Sequence, residues 1–131
     1  MISAINTAVS GYNAAANQIA VNAGNIANAF STQTLNNGTV SNTPYVPQRV
    51  VQSAQVGGGV TSNTQPVNPP SIALNDPGNA AAGADGITQF PNVDQAQQLV
   101  QSVVASYNAQ ASLNVIKVEN ENMKAVLNIV S

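Results

Sequence analysis

Three aspartates are the residues of this 131-residue chain whose type could most readily do chemistry. Two of Asp76, Asp85 and Asp94 could serve as the acid and base of a glycosidase if they faced each other across a sugar. Each also has a simpler role, because Asp76 and Asp85 precede Pro or Gly in turns and Asp94 lies near a predicted helix start. The chain has no histidine and no cysteine, the side chains that most often act in nucleophilic catalysis. We therefore expect no enzyme and no small-molecule substrate.

A run of three glycines, Gly57 to Gly59, could wrap a phosphate group with its backbone N–H groups. That chemistry requires a following lysine and a helix N-terminus, and the sequence supplies neither. The closely spaced oxygen ligands of a calcium loop are missing as well. We expect no cofactor and no metal. The extended, β-branched residues 45–56 before the glycines predict instead a two-stranded hairpin or a short meander.

The low charge of the chain excludes several kinds of partner. Only 6% of the residues are charged, against about 25% in an ordinary soluble domain. Three cations cannot neutralise a run of phosphates or form a basic membrane patch, so we expect no nucleic-acid partner. No apolar run approaches the roughly 20 residues of a membrane span, so we expect no direct membrane span. A neutral polar surface favours association over solubility.

The main secondary-structure elements predicted for this chain are two helices, one at each end. In the first 30 residues, apolar or small side chains recur at alternating steps of three and four, which is the heptad pattern of a helix that packs on a partner helix. These side chains are Ile2, Ile5, Val9, Tyr12, Ala16, Ile19, Ala23, Ile26 and Phe30. Glycines and many asparagines lower the intrinsic helicity of this segment, so packing must stabilise it.

A second helix is predicted from about Val93 to Val130, and it is the obvious partner for the first. Asn92 is a suitable N-cap, and Gln95 three residues later completes a capping-box pattern. The apolar stripe of this helix is wider than a two-stranded seam requires, which is typical of a helix inside a bundle or an assembly.

The predicted fold class is mainly α, with two long terminal helices packed as an antiparallel coiled-coil pair and an irregular middle segment with short β structure. The expected divisions are an N-terminal helix over 1–30, a Pro/Gly-rich middle segment with a short hairpin over 31–91, and a C-terminal helix over 92–131. Residues 31–44 are predicted to be a polar loop with a turn at Asn37-Gly38, and residues 61–91 irregular or extended chain.

Two ordered motifs lie in the first 30 residues, at 8–16 (AVSGYNAAA) and at 25–29 (NIANA). Together they resemble the N-terminal signature of bacterial flagellar rod and hook proteins. The later motifs are similar to those of the short proximal rod subunits of the flagellar basal body. They are YVPQRVV at 45–51, GGGV at 57–60, DPGN at 76–79, ADG at 84–86, PNVD at 91–94 and ASYNA at 105–109. The middle-segment positions taken from the motif are Tyr45, Pro47, Gly57, Gly58, Gly59, Pro91 and Asn92.

The resemblance implies a structural subunit of the bacterial flagellum that polymerises into the drive shaft crossing the periplasm. It implies export through the flagellar type III apparatus without a cleaved signal peptide, and partners that are copies of the chain and other rod subunits. The terminal helices would form the inner layer of this shaft, with the middle segment outside. Two alternatives stay open, an inner-rod subunit of a related type III injection apparatus and a soluble helical adaptor that forms a closed oligomer.

The side chains expected at the assembly interface lie on both terminal helices. They are Ile5, Val9, Tyr12, Ile19, Asn25, Ile26 and Asn28 on the first helix and Leu99, Val103, Tyr107, Leu113, Ile116, Met123 and Leu127 on the second.

Overall fold

A computed structural model describes residues 2–36, 39–41 and 43–130 of the chain. Two long helices enclose six short strands in chain order. The helices are α1 (Ile2–Ala27) and α2 (Gln95–Val130), and the strands are β1 (Thr34–Asn36), β2 (Thr39–Ser41), β3 (Gln48–Ala54), β4 (Val60–Pro66), β5 (Ser71–Asn75) and β6 (Ile87–Pro91). The chain is thus of mixed α and β content, with its two long helices at the ends as predicted.

The two helices pack side by side in opposite directions. Asn25 of α1 bonds Gln98 near the start of α2, and Asn22 bonds Ser102 one turn further on. Toward the other end of the pair, a Cβ atom built on Gly11 would lie 3.0 Å from the Ser112 Oγ. Residue numbers that rise along α1 therefore meet numbers that fall along α2, so the pair is antiparallel.

The seam between α1 and α2 is made of small and amide side chains. Ala15, Ala105 and Ala109 form its buried apolar cluster, and Ile19 packs against that cluster. The residues of this seam follow one another along each helix at intervals of three, four or seven positions. They are Ala8, Gly11, Ala15, Asn22 and Asn25 on α1 and Gln98, Ser102, Ala105, Ala109 and Ser112 on α2. Small side chains let two helices approach closely, so many weak van der Waals contacts replace a few large apolar ones.

This seam corrects the prediction of which face of α1 packs on the second helix. The large apolar row was expected to meet α2, yet Val9 is 40% exposed and Tyr12 38% exposed. Of that row, Ile19 does pack against the seam cluster. The heptad spacing occurs twice on α1, in a row of large side chains and in a row of small ones, and the small row faces α2. The two helices therefore do not meet through the row of large apolar side chains that the predicted coiled-coil pair requires.

The start of α2 differs from the predicted cap. Asp94 is the N-cap, because its Oδ1 accepts a hydrogen bond of 3.0 Å from the Gln97 backbone N–H and its carbonyl accepts one from Gln98. Asn92 instead bonds the chain before β5, donating from Nδ2 to the Pro69 carbonyl and from its backbone N–H to Pro70. A carboxylate accepts N–H bonds at a helix start more strongly than an amide does, since it also interacts with the helix dipole.

The middle of the chain holds more strand than predicted. β1 pairs with β2, β3 with β4, and β5 with β6, each antiparallel. The predicted hairpin is β3–β4, joined by a turn over residues 55–59. The loop predicted over 31–44 contains β1 and β2, and its predicted turn at Asn37-Gly38 lies outside the described residues. The irregular chain predicted over 61–91 contains most of β4 and all of β5 and β6, because short strands pair here between proline-rich turns.

Candidate assembly surface

Asn25 joins α1, β3 and α2 at one buried point. Its side chain is 1% exposed, and all four hydrogen-bonding positions of its amide are used. Nδ2 donates to the Gln48 carbonyl at 2.6 Å and to Gln98 Oε1 at 3.0 Å. Oδ1 accepts from the Gln48 N–H at 3.0 Å and from the Tyr45 hydroxyl at 3.2 Å. Asn25 was predicted to lie at an assembly interface; within this chain its side chain is buried and bonds Gln48, Gln98 and Tyr45.

Two further residues of the motif positions hold the chain before β3 against this point. Burial raises the pKa of the Tyr45 hydroxyl above its ordinary 10.0. This hydroxyl donates its hydrogen bond to Asn25 Oδ1. Pro47 is fully buried, and its carbonyl accepts a hydrogen bond of 2.9 Å from Val67. The other predicted amide, Asn28, donates to the Gly24 carbonyl at 2.9 Å, so it caps the last turn of its own helix.

The β3–β4 hairpin lies along α1 and is fixed there by two polar contacts. The Ser10 hydroxyl accepts a hydrogen bond of 3.1 Å from the Val60 N–H. Asn17 donates to the Ser62 hydroxyl at 3.1 Å. Sequence reasoning did not single out Ser10 or Asn17, because a polar residue at an apparently exposed helix position carries no sign of a strand beside it.

The three glycines form the turn of this hairpin, and all three have positive φ angles of 93 to 102°. A Cβ atom on Gly59 would collide with the Ser10 side chain, and one on Gly58 would lie 3.0 Å from the Thr7 hydroxyl. The same atom on Gly57 would meet nothing within 4 Å. Glycine is thus needed at the turn for its backbone angles and, at Gly59, also for the close approach to α1.

This difference within one turn predicts unequal costs for two alanine substitutions. Gly57→Ala should cost only backbone strain, about 1–2 kcal/mol of unfolding free energy. Gly59→Ala should cost at least about 1 kcal/mol more, because Ser10 must move and its hydrogen bond to Val60 is lost. Urea unfolding of the two variants measures the difference. Equal unfolding midpoints would show that the hairpin turn does not rest on α1.

A groove runs along the helix pair beside this hairpin. Its two adjoining sections have volumes of about 580 Å³ each. Small residues of α1 line its floor, namely Ala8, Gly11, Ala14 and Ala15. On one side it is lined by α2, through Val104, Ala111 and Val115. On the other side it is lined by the hairpin, through Gln52, Gly59 and Val60. No charged side chain lines either section. Amide side chains, among them Gln18, Gln101 and Asn108, line it as well, so the groove is uncharged but partly polar.

A second apolar feature of α1 lies outside the groove. We call Ile5, Val9, Tyr12 and Ile19 the α1 stripe. Val9 and Tyr12 are exposed, Ile5 and Ile19 are half-buried, and none of the four lines the groove. Val9 and Tyr12 therefore present large side chains to solvent, whereas Ile19 packs against the seam cluster.

The second helix exposes apolar side chains along its whole length. Tyr107 is 66% exposed and Leu127 is 69% exposed, and Leu99, Val103 and Leu113 are exposed as well. Ile116 and Met123, like Ile26 of α1, are half-buried. Because α2 has 36 residues and α1 has 26, the last turns of α2 extend past the start of α1. Exposed apolar side chains in such number are unusual for a monomer and are typical of interaction surfaces.

The three aspartates occupy separate structural positions. Asp76 Oδ2 accepts a hydrogen bond from Asn79, Asp85 Oδ1 accepts one from the Ile87 N–H, and Asp94 caps α2. Within residues 2–36, 39–41 and 43–130, no cluster of three or more acidic, histidine or cysteine side chains could hold a metal ion. Of the remaining motif positions, Pro91 is buried at the end of β6, opposite Ser71.

The structure thus defines a mixed α and β fold in which an antiparallel helix pair carries three small hairpins. None of its helices, over the part of the chain that is described, is both long and apolar enough to cross a membrane. No protein-family model matches the chain, and no curated protein matches it.

Proposed function

We propose that this protein is a structural subunit of the bacterial flagellar basal body, within the proximal part of the rod. Its terminal helices polymerise into the inner layer of the shaft, and the hairpins lie toward the outside. Its partners are copies of itself, other rod subunits and the flagellar type III export apparatus, which it passes without a cleaved signal peptide. The shaft crosses the periplasm and transmits torque.

The observation that carries the proposal is the exposed apolar surface of both helices. Small residues and amides already close the seam between α1 and α2, so the large apolar side chains remain available for other chains. A folded chain that buried these side chains internally would have no apolar surface left for contacts with neighbouring subunits. The low charge of the chain supports close packing of many copies, because like charges would not accumulate along the shaft.

Torque transmission requires a subunit that does not deform under load. Asn25 and the Ser10–Val60 bond tie the hairpin and both helices into one unit. Load applied to the β3–β4 hairpin would therefore reach the helices through directional hydrogen bonds. In the shaft we expect the helix pair to act as an antiparallel coiled coil, since both rows of its seam keep steps of three and four or their sum.

Charged substitutions on the outer side of α2 test the proposal in the bacterium that encodes the chain. In a strain without the native copy, the wild-type chain should restore motility and be recovered in purified basal bodies. The double variant Val103→Glu and Tyr107→Glu should fail on both counts, because two carboxylates would be buried between subunits. The control is Gln97→Glu, which adds a carboxylate at an exposed polar position of the same helix, on another face than Val103 and Tyr107.

Recovery of the double variant in basal bodies at the wild-type level would contradict the assembly role of this face. Absence of the wild-type chain from basal bodies would overturn the proposed function itself. A discrete small oligomer of the purified chain, unchanged on dilution or concentration, would favour the soluble adaptor.

A further inference from the structure

We propose that the open edge of β3 pairs with strand β5 of a second copy of this chain, so that the β3–β4 sheet gains a further strand over α2. The inference rests on the proposed assembly of copies and adds the contact that their hairpins make. The contact is heterologous, because β3 of one copy takes β5 of the next.

The hydrogen bonds of the β3–β4 ladder show which backbone groups of β3 point away from β4. In an antiparallel pair, alternate residues bond the neighbouring strand and the residues between them point outward. The Gln55 N–H bonds the Gly59 carbonyl, so the odd-numbered residues of β3 bond β4 and the even-numbered ones point outward. Gln48 agrees with this alternation, since both of its backbone groups bond the Asn25 side chain.

Beyond Gln48, this edge of β3 is open, whereas the outer edge of β4 is not. The outward backbone groups of Val50, Gln52 and Ala54 have no hydrogen-bond partner among the described residues. On β4, the Val60 N–H bonds α1 and a proline ends the strand. Natural sheets block exposed edges with proline, charge or a covering element, because free backbone groups recruit another strand. Residues 50–54 contain neither proline nor charge.

The open edge lies on the side of the sheet nearest α2. Asn25 bonds both Gln48 of β3 and Gln98 of α2. The other strand, β4, is held by Ser10 and Asn17, which lie outside the seam between the helices. No Cα atom of β3 lies within 8 Å of one in α2, two elements that the structure describes throughout. The sheet therefore covers α1 and stops before α2.

The side of α2 beside this edge is apolar and uncovered. Val100 and Val104 are both exposed, and they line the groove together with Gln52 of β3. A strand added to β3 would lie about 4.8 Å from it, over these side chains. It would bond the free backbone groups and bury apolar surface of α2 at the same time.

A second β3 strand does not fit this position. In an antiparallel pair of β3 strands, both hairpins would turn the same face toward the helices. Each hairpin carries its own α1 on that face. The α1 helix of the second copy would then occupy the place that α2 already fills, so the added strand must come from a hairpin with no helix beneath it.

The β5–β6 hairpin meets that requirement. No Cα atom of its strands lies within 8 Å of a helix or of another described strand. The Asp76 N–H bonds the Gly86 carbonyl, so the odd-numbered residues of β5 point outward. The outward backbone groups of Ser71, Ala73 and Asn75 have no hydrogen-bond partner in the described ranges. β5 thus matches the five residues of the β3 edge, whereas β1 and β2 have three residues each.

The side chains of β5 set the direction of the pairing. Ile72 and Leu74 are exposed on one face of β5, and the outward-pointing residues lie on the other. In an antiparallel pair, outward residues of the two strands lie opposite one another, which would turn Ile72 and Leu74 away from α2. In a parallel pair, each outward residue bonds the two neighbours of the residue opposite it. Parallel pairing therefore places Ile72 and Leu74 against Val100 and Val104.

Proline substitution on the two outer edges of the same hairpin tests the pairing. Gln52→Pro removes an outward N–H group from β3, and Thr64→Pro removes one from β4. Both positions are exposed and bond nothing across the ladder, so both full-length variants should fold. In sedimentation, Gln52→Pro should lower the association constant at least about tenfold, and Thr64→Pro should leave it within about twofold of wild type. Equal association constants for the two variants would overturn the inference.

Amide hydrogen exchange of the unsubstituted chain tests the same edge should Gln52→Pro fail to fold. On concentration, exchange at Gln52 and Ala54 should slow at least about tenfold, while exchange at Thr64 stays fast. No slowing at the β3 edge, or equal slowing at Thr64, would contradict the pairing.

The double variant Ile72→Ser and Leu74→Ser tests whether β5 is the strand that pairs. It should lower the association constant at least about tenfold, because the apolar contact with α2 is lost. Ile87→Ser is the control, since Ile87 is exposed on the opposite face of the same hairpin, and it should associate as the wild-type chain does. Unchanged association of the double variant would mean that another strand occupies the edge and that the inference is wrong.

The outcomes separate this inference from the proposed function. If Gln52→Pro weakens association as expected but the wild-type chain is missing from basal bodies, the strand pairing holds and the rod assignment fails. If the wild-type chain is recovered in basal bodies but exchange at Gln52 and Ala54 does not slow on concentration, the rod assignment holds and the strand pairing is wrong.

Discussion

Asn25→Ala should destabilise the fold by about 3–5 kcal/mol, a large part of the 5–15 kcal/mol that holds a typical domain together. Alanine removes four hydrogen bonds and leaves the Gln48 N–H and carbonyl, the Tyr45 hydroxyl and the Gln98 side chain without their partner. Each buried group that loses its only partner costs about 1–3 kcal/mol. Thermal and urea unfolding monitored by circular dichroism measure the loss.

The matched control for this substitution is Asn13→Ala on the same helix. Asn13 is exposed, so its substitution should be neutral or stabilise the helix slightly through the higher helix propensity of alanine. The propensity change is the same at both positions, and the difference between the two variants isolates the hydrogen bonds of Asn25. A loss below about 1 kcal/mol at Asn25 would show that this amide does not hold the three elements together.

The double substitution Val9→Glu and Tyr12→Glu should abolish self-association while leaving the monomer folded. Two carboxylates on the α1 stripe would have to be buried against a neighbouring subunit, and we expect the association constant to fall at least about a hundredfold. The fold should tolerate them because both positions are exposed and lie outside the seam. Sedimentation of the concentrated protein measures association, and circular dichroism measures folding.

Ser3→Glu is the control for added charge, since it places a carboxylate at an exposed position of α1 on another face than Val9 and Tyr12. It should associate as the wild-type chain does. If the double variant associated as strongly as the wild-type chain, α1 would not be part of the assembly surface. Unfolding of the double variant would instead mean that the stripe stabilises the monomer, contrary to its exposure.

The helices were predictable from the sequence, whereas the way they meet was not. Long periodic segments identify a helix even when Gly11 and several asparagines weaken it, and α1 and α2 start and end within a few residues of the predicted bounds. Periodicity alone does not say which of two overlapping rows faces the partner. Size suggested Val9 and Tyr12, yet Ala8 and Ala15 are buried, because small residues pack the two backbones closely.

The polar anchors and the extra strands were the least predictable features. Asn25 was placed on the assembly interface by family resemblance, but nothing in its neighbours along the sequence announces Gln48 or Gln98. Its role depends on three elements that meet only after folding. The strands β5 and β6 lie in the segment predicted to be irregular or extended chain, because five-residue strands near prolines carry little periodic signal. Whether the exposed apolar rows join copies together remains the proposal that the substitutions above test.

The placement of the three tyrosines makes the chain its own spectroscopic reporter. The sequence has no tryptophan, so tyrosine emission is not masked. The Tyr45 hydroxyl is bonded inside the fold, whereas the rings of Tyr12 and Tyr107 face outward on α1 and α2. Protection of Tyr45 fluorescence from quenching by iodide would report the folding of the single chain. Protection that Tyr12 and Tyr107 gain as the protein is concentrated would report its association with other copies, without an added label.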